Sequence, residues 1–166
     1  MSNRNNKMSK KALLLSTAFL FLLIIIVLSK LSSIGKQEYF LQIYLPYNDI
    51  VFWEEKIQPH DTFYHEYLHS VELSPVREYF TIDEEFRMIA TESWTKSFGA
   101  GLPYETKDNF EIVDGFFVIQ DHRELEYLNI LPSNLYRHSF YFGEESIDLS
   151  NELSGERIRI QVVKHE

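Results

Sequence analysis

The 166-residue sequence contains no cysteine. Disulfide bonds, thiolate chemistry, a lipidated N-terminal cysteine and cysteine-based zinc sites are therefore excluded. Any folded domain must be stabilised by its core alone, without covalent cross-links. At 45% apolar and 25% charged residues, the composition is typical of a globular protein, and the length predicts one ordinary domain.

Acidic residues are also missing from the first part of the chain. The five charged residues among residues 1–35 are all basic, and they are Arg4, Lys7, Lys10, Lys11 and Lys30. Residues 36–166 carry all 25 acids against 11 bases, a net charge of −14, whereas the whole chain carries −9. Because binding to phosphate backbones needs a basic surface, we expect no nucleic acid among the partners.

An uncharged run at residues 12–28 is interrupted only by Ser16 and Thr17. As a helix it would measure roughly 26 Å, close to the ~30 Å of a hydrocarbon layer. Four bases precede this run, so the positive-inside rule predicts a cytoplasmic N-terminus. These features predict residues 1–35 as a basic head and signal anchor in the lipid bilayer of the cell membrane. Residues 36–166 would then form an extracytoplasmic domain of a single-pass protein.

A cleaved signal peptide is the alternative interpretation of the same run. Ser33, Ile34 and Gly35 form an acceptable small-x-small cleavage site. The apolar run is longer than the usual core of about 7–15 residues in cleaved signals, which favours the uncleaved anchor.

Short β-rich runs, separated by turns, occupy most of residues 36–166. The predicted strands are residues 39–45, 50–53, 62–71, 76–82, 86–93, 116–119, 127–131, 139–142 and 158–163, although residues 84–94 could instead be helical. Such spacing predicts an all-β domain, either an antiparallel β-sandwich or a partly open barrel, preceded by one transmembrane helix.

The segment from Glu72 to Pro75 separates two alternating runs and predicts a hairpin. Alternation along the first arm places Phe63, His65, Tyr67, His69 and Val71 on one face, if the strand extends that far. On the second arm, Glu78 shares a face with otherwise apolar residues. His138 likewise shares a face with Phe140 and Phe142.

A carboxylate or imidazole on an inward face must be paired or hydrogen-bonded, or its pKa shifts. We therefore expect His69, Glu78 and His138 to form one polar network. The network could be a ligand pocket or an acid/base pair. It could equally be a sealed network that only ties strands together.

Metal binding and catalysis receive less support. His65 and His69, four residues apart on one strand, would lie about 13 Å apart and could not share a metal ion. Residues 97–103 form a glycine-rich loop, which could be an anion-binding nest or a tight crossing between sheets. No nucleophile elbow is present. We therefore predict no metal site, no cofactor and no enzymatic activity.

Two motifs together resemble an uncharacterised bacterial family, domain of unknown function 1850. The first motif comprises His69-Ser70-Val71-Glu72, Pro75-Val76 and Glu78-Tyr79-Phe80, and the second is Ser97-Phe98-Gly99-Ala100-Gly101-Leu102-Pro103. The resemblance covers residues 38–163 and matches the family at His69, Glu72, Glu78, Gly99, Gly101 and Pro103. It implies a small exported or anchored protein associated with tripartite ATP-independent (TRAP) transporters of the TAXI type, which import organic acids.

Two functions follow as expectations. The first, implied by the resemblance, is an accessory protein that contacts transporter subunits or a solute-binding protein outside the membrane. The second is a binding module for a small carboxylate or a metal ion. The predicted ligand-binding residues are His69, Glu72, Glu78, Gly99, Gly101 and His138.

Overall fold

A computed structural model of the chain describes residues 14–26, 37–97 and 110–165. The pattern of contacts within the chain divides it into two compact units. One comprises Met1–Gln37 together with Glu166, and the other is Glu38–His165. The second unit carries all the strands of the described residues.

In the first unit, residues 14–26 are helical and form helix α1. Across the described residues, no helix combines the length and the apolar character that crossing a membrane requires. The predicted transmembrane helix at residues 12–28 is therefore wrong.

The second unit consists of short strands and one helical turn. The elements are β1 (Glu38–Leu45), β2 (Ile50–Lys56), β3 (Thr62–Leu68), β4 (Pro75–Ile82), β5 (Met88–Thr95), β6 (Phe110–Val113), β7 (Phe116–Gln120), β8 (Glu124–Leu125), β9 (Tyr127–Ile130), β10 (His138–Phe142), β11 (Glu145–Asp148), α2 (Leu149–Glu152) and β12 (Ile158–His165).

These strands form two sheets in which every described pairing is antiparallel. The smaller sheet has the order β2-β1-β12-β9. The larger has the order β11-β10-β3-β4-β5-β7-β6, with β8 also paired to β5. The all-β, antiparallel part of the predicted fold is thus confirmed. Each of the nine predicted runs overlaps a strand, whereas β6, β8, β11 and α2 were not predicted.

The core lies between the two sheets and is built by alternating residues of each. The smaller sheet contributes Leu41, Ile43, Ile158 and Ile160, all fully buried. The larger sheet contributes aromatic rings from three adjacent strands, namely Phe63, Phe80 and Phe140. Side chains alternate between the faces of a strand, so residues two positions away from these rings also face inward.

Strand β3 is the centre of this aromatic layer. The ring of Phe63 stacks on Phe80 of β4 with centroids 4.9 Å apart, and lies 5.8 Å from Phe140 of β10. His65, two residues along β3, lies on the same face and pairs in register with Phe140 on one side and Glu78 on the other. The apolar layer therefore ends at a row of polar groups.

Helix α2 is a single turn that fixes the start of β10. Its N-cap is Asp148, whose carboxylate accepts hydrogen bonds from Asn151 N at 3.1 Å and Ser150 Oγ at 2.6 Å. Ser150 Oγ in turn accepts a hydrogen bond from the backbone N–H of His138 at 3.2 Å. The cap is thus linked to the first residue of β10.

Removing the cap should destabilise the domain modestly. Asp148→Ala is expected to lower the free energy of unfolding by about 1 kcal/mol, because orphan donors of the turn lose their acceptor. Urea denaturation followed by circular dichroism measures this loss. Glu152→Ala, an exposed change in the same turn, is the control and should stay within about 0.5 kcal/mol of the parent. Equal losses in both variants would contradict a capping role.

Candidate functional site

Two ionisable side chains meet across β3 and β4 on the inward face of the larger sheet. His65 and Glu78 are direct partners in the strand register, and His65 Nε2 lies 2.8 Å from Glu78 Oε2. The oxygen lies off the direction of the ring N–H, so the contact is a close electrostatic pairing without ideal hydrogen-bond alignment. The His65 side chain is 5% exposed and that of Glu78 is 36% exposed.

A second imidazole joins from β10, on the other side of β3. His65 Nδ1 lies 2.9 Å from His138 Nε2, a hydrogen-bond distance. Three adjacent strands thus supply a continuous chain of polar groups running from Glu78 through His65 to His138. We call these three side chains the His–Glu network.

Tyr67 borders the network on β3. Its ring centroid lies 5.4 Å from that of His138 and 5.6 Å from that of His65. Burial, together with the negative charge of Glu78, raises the pKa of Tyr67 to about 12. The phenol is therefore neutral at physiological pH and keeps its proton to donate.

The environment sets the charges of the network. Burial raises the pKa of Glu78, but its close pairing with His65, followed by the effects of Arg123 and His138, outweighs burial and leaves the pKa below its ordinary value. Burial, together with the neighbouring His65, lowers the pKa of His138 to about 3, against the opposing effect of Glu78. At neutral pH Glu78 is ionised and His138 is neutral.

The network reaches the protein surface. About a third of the Glu78 side chain is exposed, so the network is only partly enclosed at this end. A cavity of about 320 Å³ is lined by Glu66, Tyr67, Leu68, Pro75 and Arg137, and the three network side chains are not part of its lining. It adjoins the strand neighbours of His138, since Tyr67 is its register partner and Leu68 N donates to Arg137 O.

Of the residues predicted to share a network, Glu78 and His138 meet through His65, while His69 lies elsewhere. The prediction that His69 continues the inward face of β3 is wrong, because the strand ends at Leu68. Leu73 N donates to His69 O at 2.8 Å, which closes a turn, and Val71, predicted to share that inward face, is 79% exposed.

Of the remaining predicted site residues, His69 and Glu72 are described by the structure and are not part of the network. His69 Nδ1 accepts a hydrogen bond from Glu72 N at 3.2 Å, within the turn. Glu72 is exposed and accepts from Ser97 Oγ at 3.0 Å. Gly99 and Gly101 lie outside the described residues.

Sequence reasoning missed His65 as the connecting residue. Its alternation with Phe63 places it on the inward face, and the hairpin register places it opposite Glu78. A prediction that combined alternation with the hairpin register would have found the pair. The sequence pattern places His65 on the inward face, but the network predicted from it does not include this residue. Within residues 14–26, 37–97 and 110–165, no group of three or more His, Cys, Asp or Glu residues is placed to hold a metal ion.

A comparison with known protein families tests the family resemblance that the two sequence motifs indicate. The profile of a family described as "Domain of unknown function (DUF1850)" matches residues 63–149, just over half of the chain. The chain belongs to this family. No curated protein and no solved structure matches it with significant similarity.

The DUF1850 match contains the whole His–Glu network. It begins at the core ring Phe63 in β3 and ends at Leu149, the first residue of α2. The three strands that carry His65, Glu78 and His138 therefore all lie inside the family region, whereas β1, β2 and β12 lie outside it.

Proposed function

We propose that this DUF1850 protein is a binding module for a small polar ligand, with the His–Glu network as its binding site. One observation carries the proposal: a buried imidazole, His65, links a partly buried imidazole, His138, to an ionised glutamate whose side chain is one-third exposed. Burying such groups costs free energy. A network needed only to tie strands together would be expected to bury its carboxylate fully, since solvent weakens the pairing.

A thermal-shift screen of the full chain tests the proposal. A bound ligand should raise the unfolding midpoint. A ligand concentration about 100-fold above the dissociation constant raises the free energy of unfolding by about 2.7 kcal/mol. Small amines, alcohols, organic acids and divalent metal ions form the screen. Glu78→Gln should remove most of any rise, measured against the variant's own midpoint.

Glu111→Gln is the matched control, because Glu111 is exposed on β6 and takes no part in the network. Should Glu78→Gln fail to fold, His138→Gln serves as the second variant, with the same expected loss. The proposal fails if no compound in the screen raises the midpoint, or if Glu111→Gln removes the rise as fully as Glu78→Gln.

Association with a TRAP-type organic-acid transporter is a second candidate function, which we propose from what the resemblance of the two sequence motifs implies. An extracytoplasmic location remains a prediction with it. Gentle-detergent purification of the tagged chain should recover transporter subunits or a solute-binding protein. Repeated recovery of the chain without them would count against the association.

A further inference from the structure

The His–Glu network has a direction, set by its carboxylate. An ionised carboxylate repels a nitrogen lone pair and attracts an N–H group, so its approach to 2.8 Å places a proton on Nε2 of His65 even without ideal hydrogen-bond alignment. In a neutral imidazole the other nitrogen is then an acceptor. With His65 neutral, Nδ1 accepts from Nε2–H of His138, which lies 2.9 Å away, whereas an imidazolium at His65 would reverse this direction.

The same rule fixes the far end of the network. With its proton on Nε2, a neutral His138 carries a lone pair on Nδ1. Among the described residues, no side chain or backbone group hydrogen-bonds this nitrogen. His138 is only partly buried, and the phenol of Tyr67 lies beside it. The network thus ends in an available hydrogen-bond acceptor.

Charge near the network also disfavours an anionic ligand. Glu78 is ionised, and the arginine that interacts with it, Arg123, is already paired with Asp121 at 2.6 Å. Residues 36–166 as a whole carry a net charge of −14. The ionised Glu78 and the acidic domain as a whole favour an ammonium group over a carboxylate, and the positive charge nearest to His138 in the sequence is that of Arg137, which lines the neighbouring cavity.

We propose that the His–Glu network selects ligands that present a hydrogen-bond donor, an ammonium or hydroxyl group, to Nδ1 of His138. This inference rests on the proposed binding function and names its ligand class. It replaces the carboxylate ligand considered from the sequence with a ligand of opposite hydrogen-bonding character.

The proton positions are tested by long-range ¹H–¹⁵N NMR on full-length, ¹⁵N-histidine-labelled protein at pH 8. His138 should show a protonated Nε2 and an unprotonated Nδ1 as a single tautomer. The exposed His122 provides the reference for an imidazole outside the network. A protonated Nδ1 on His138 would overturn the proposal, whatever the ligand screen had shown.

Ligand class is tested with two probes of equal chain length, butylammonium chloride and sodium butyrate, at matched ionic strength. Butylammonium should shift the His138 ring resonances, and Glu78→Gln should weaken its binding about tenfold, because a charged acceptor is lost. Glu111→Gln should leave the affinity unchanged.

Butyrate should cause no comparable shift. If butyrate binds at His138 and butylammonium does not, the inference is overturned while the binding function stands. If neither probe shifts the His138 resonances at concentrations up to its solubility limit, the proposal that ammonium donors bind Nδ1 of His138 is overturned. Failure of the whole thermal-shift screen, by contrast, would remove the binding function itself.

Discussion

Replacing Phe63 by alanine is expected to lower the free energy of unfolding by about 3–5 kcal/mol. The ring is 1% exposed, stacks on Phe80 and contacts Phe140, so truncation leaves a cavity at the centre of the larger sheet. Small domains are stable by only about 5–15 kcal/mol, so this loss is a large share of the total. Urea denaturation of the full chain, followed by circular dichroism, measures it.

Phe52→Ala provides the control, because it makes the same substitution at a side chain that is 37% exposed on β2. We expect that change to cost less than about 1.5 kcal/mol. Similar costs at both positions would contradict the placement of the core between the sheets around β3.

Lowering the pH from 6.5 to 5 is expected to remove about 1.5–2 kcal/mol of stability through His138 alone. The unfolded chain protonates this residue near the ordinary imidazole pKa of about 6.5, whereas in the folded protein burial and His65 lower its pKa to about 3. Between these values the unfolded state binds more protons, so the free energy of unfolding falls as the pH falls. Glu78 acts in the same direction at lower pH, since its folded pKa is also lowered.

His138→Gln isolates this contribution, because an amide keeps a hydrogen-bond donor for His65 but does not titrate. Urea midpoints of the parent and of the variant, compared at pH 6.5 and 5, should show a shallower decline in His138→Gln. His122→Gln, at an exposed histidine, is the control and should decline as the parent does. Parallel declines in the parent and His138→Gln would show that His138 is not held neutral by burial.

Local pattern was enough to predict most of the strands and two members of the network. Alternation along β4 and β10 put Glu78 and His138 on inward faces, and the structure places both there with His65 between them. Alternation failed at His69, because it cannot show where a strand stops. In the fold, β3 ends where Leu68 bonds to Arg137 and the chain turns.

The pairing of β3 with β10 could not be predicted, because it joins residues 73 positions apart. Strand pairing over such distances depends on the packing of the whole sheet and leaves no signal in a local window. The same limit explains why His65 was missed as the link between Glu78 and His138. The apolar run at residues 12–28 led to an error of another kind. Its hydropathy predicted a membrane-spanning helix, which the described residues do not form.

The central claim is that a buried His–Glu network holds His138 neutral and available on the inward face. An NMR titration of the His138 ring in the full chain, from pH 8 to the acid limit of folding, tests this most directly. We predict that its ring resonances stay in the neutral position through pH 5, consistent with a pKa of about 3. A titration midpoint near the ordinary value of about 6.5 would contradict the account.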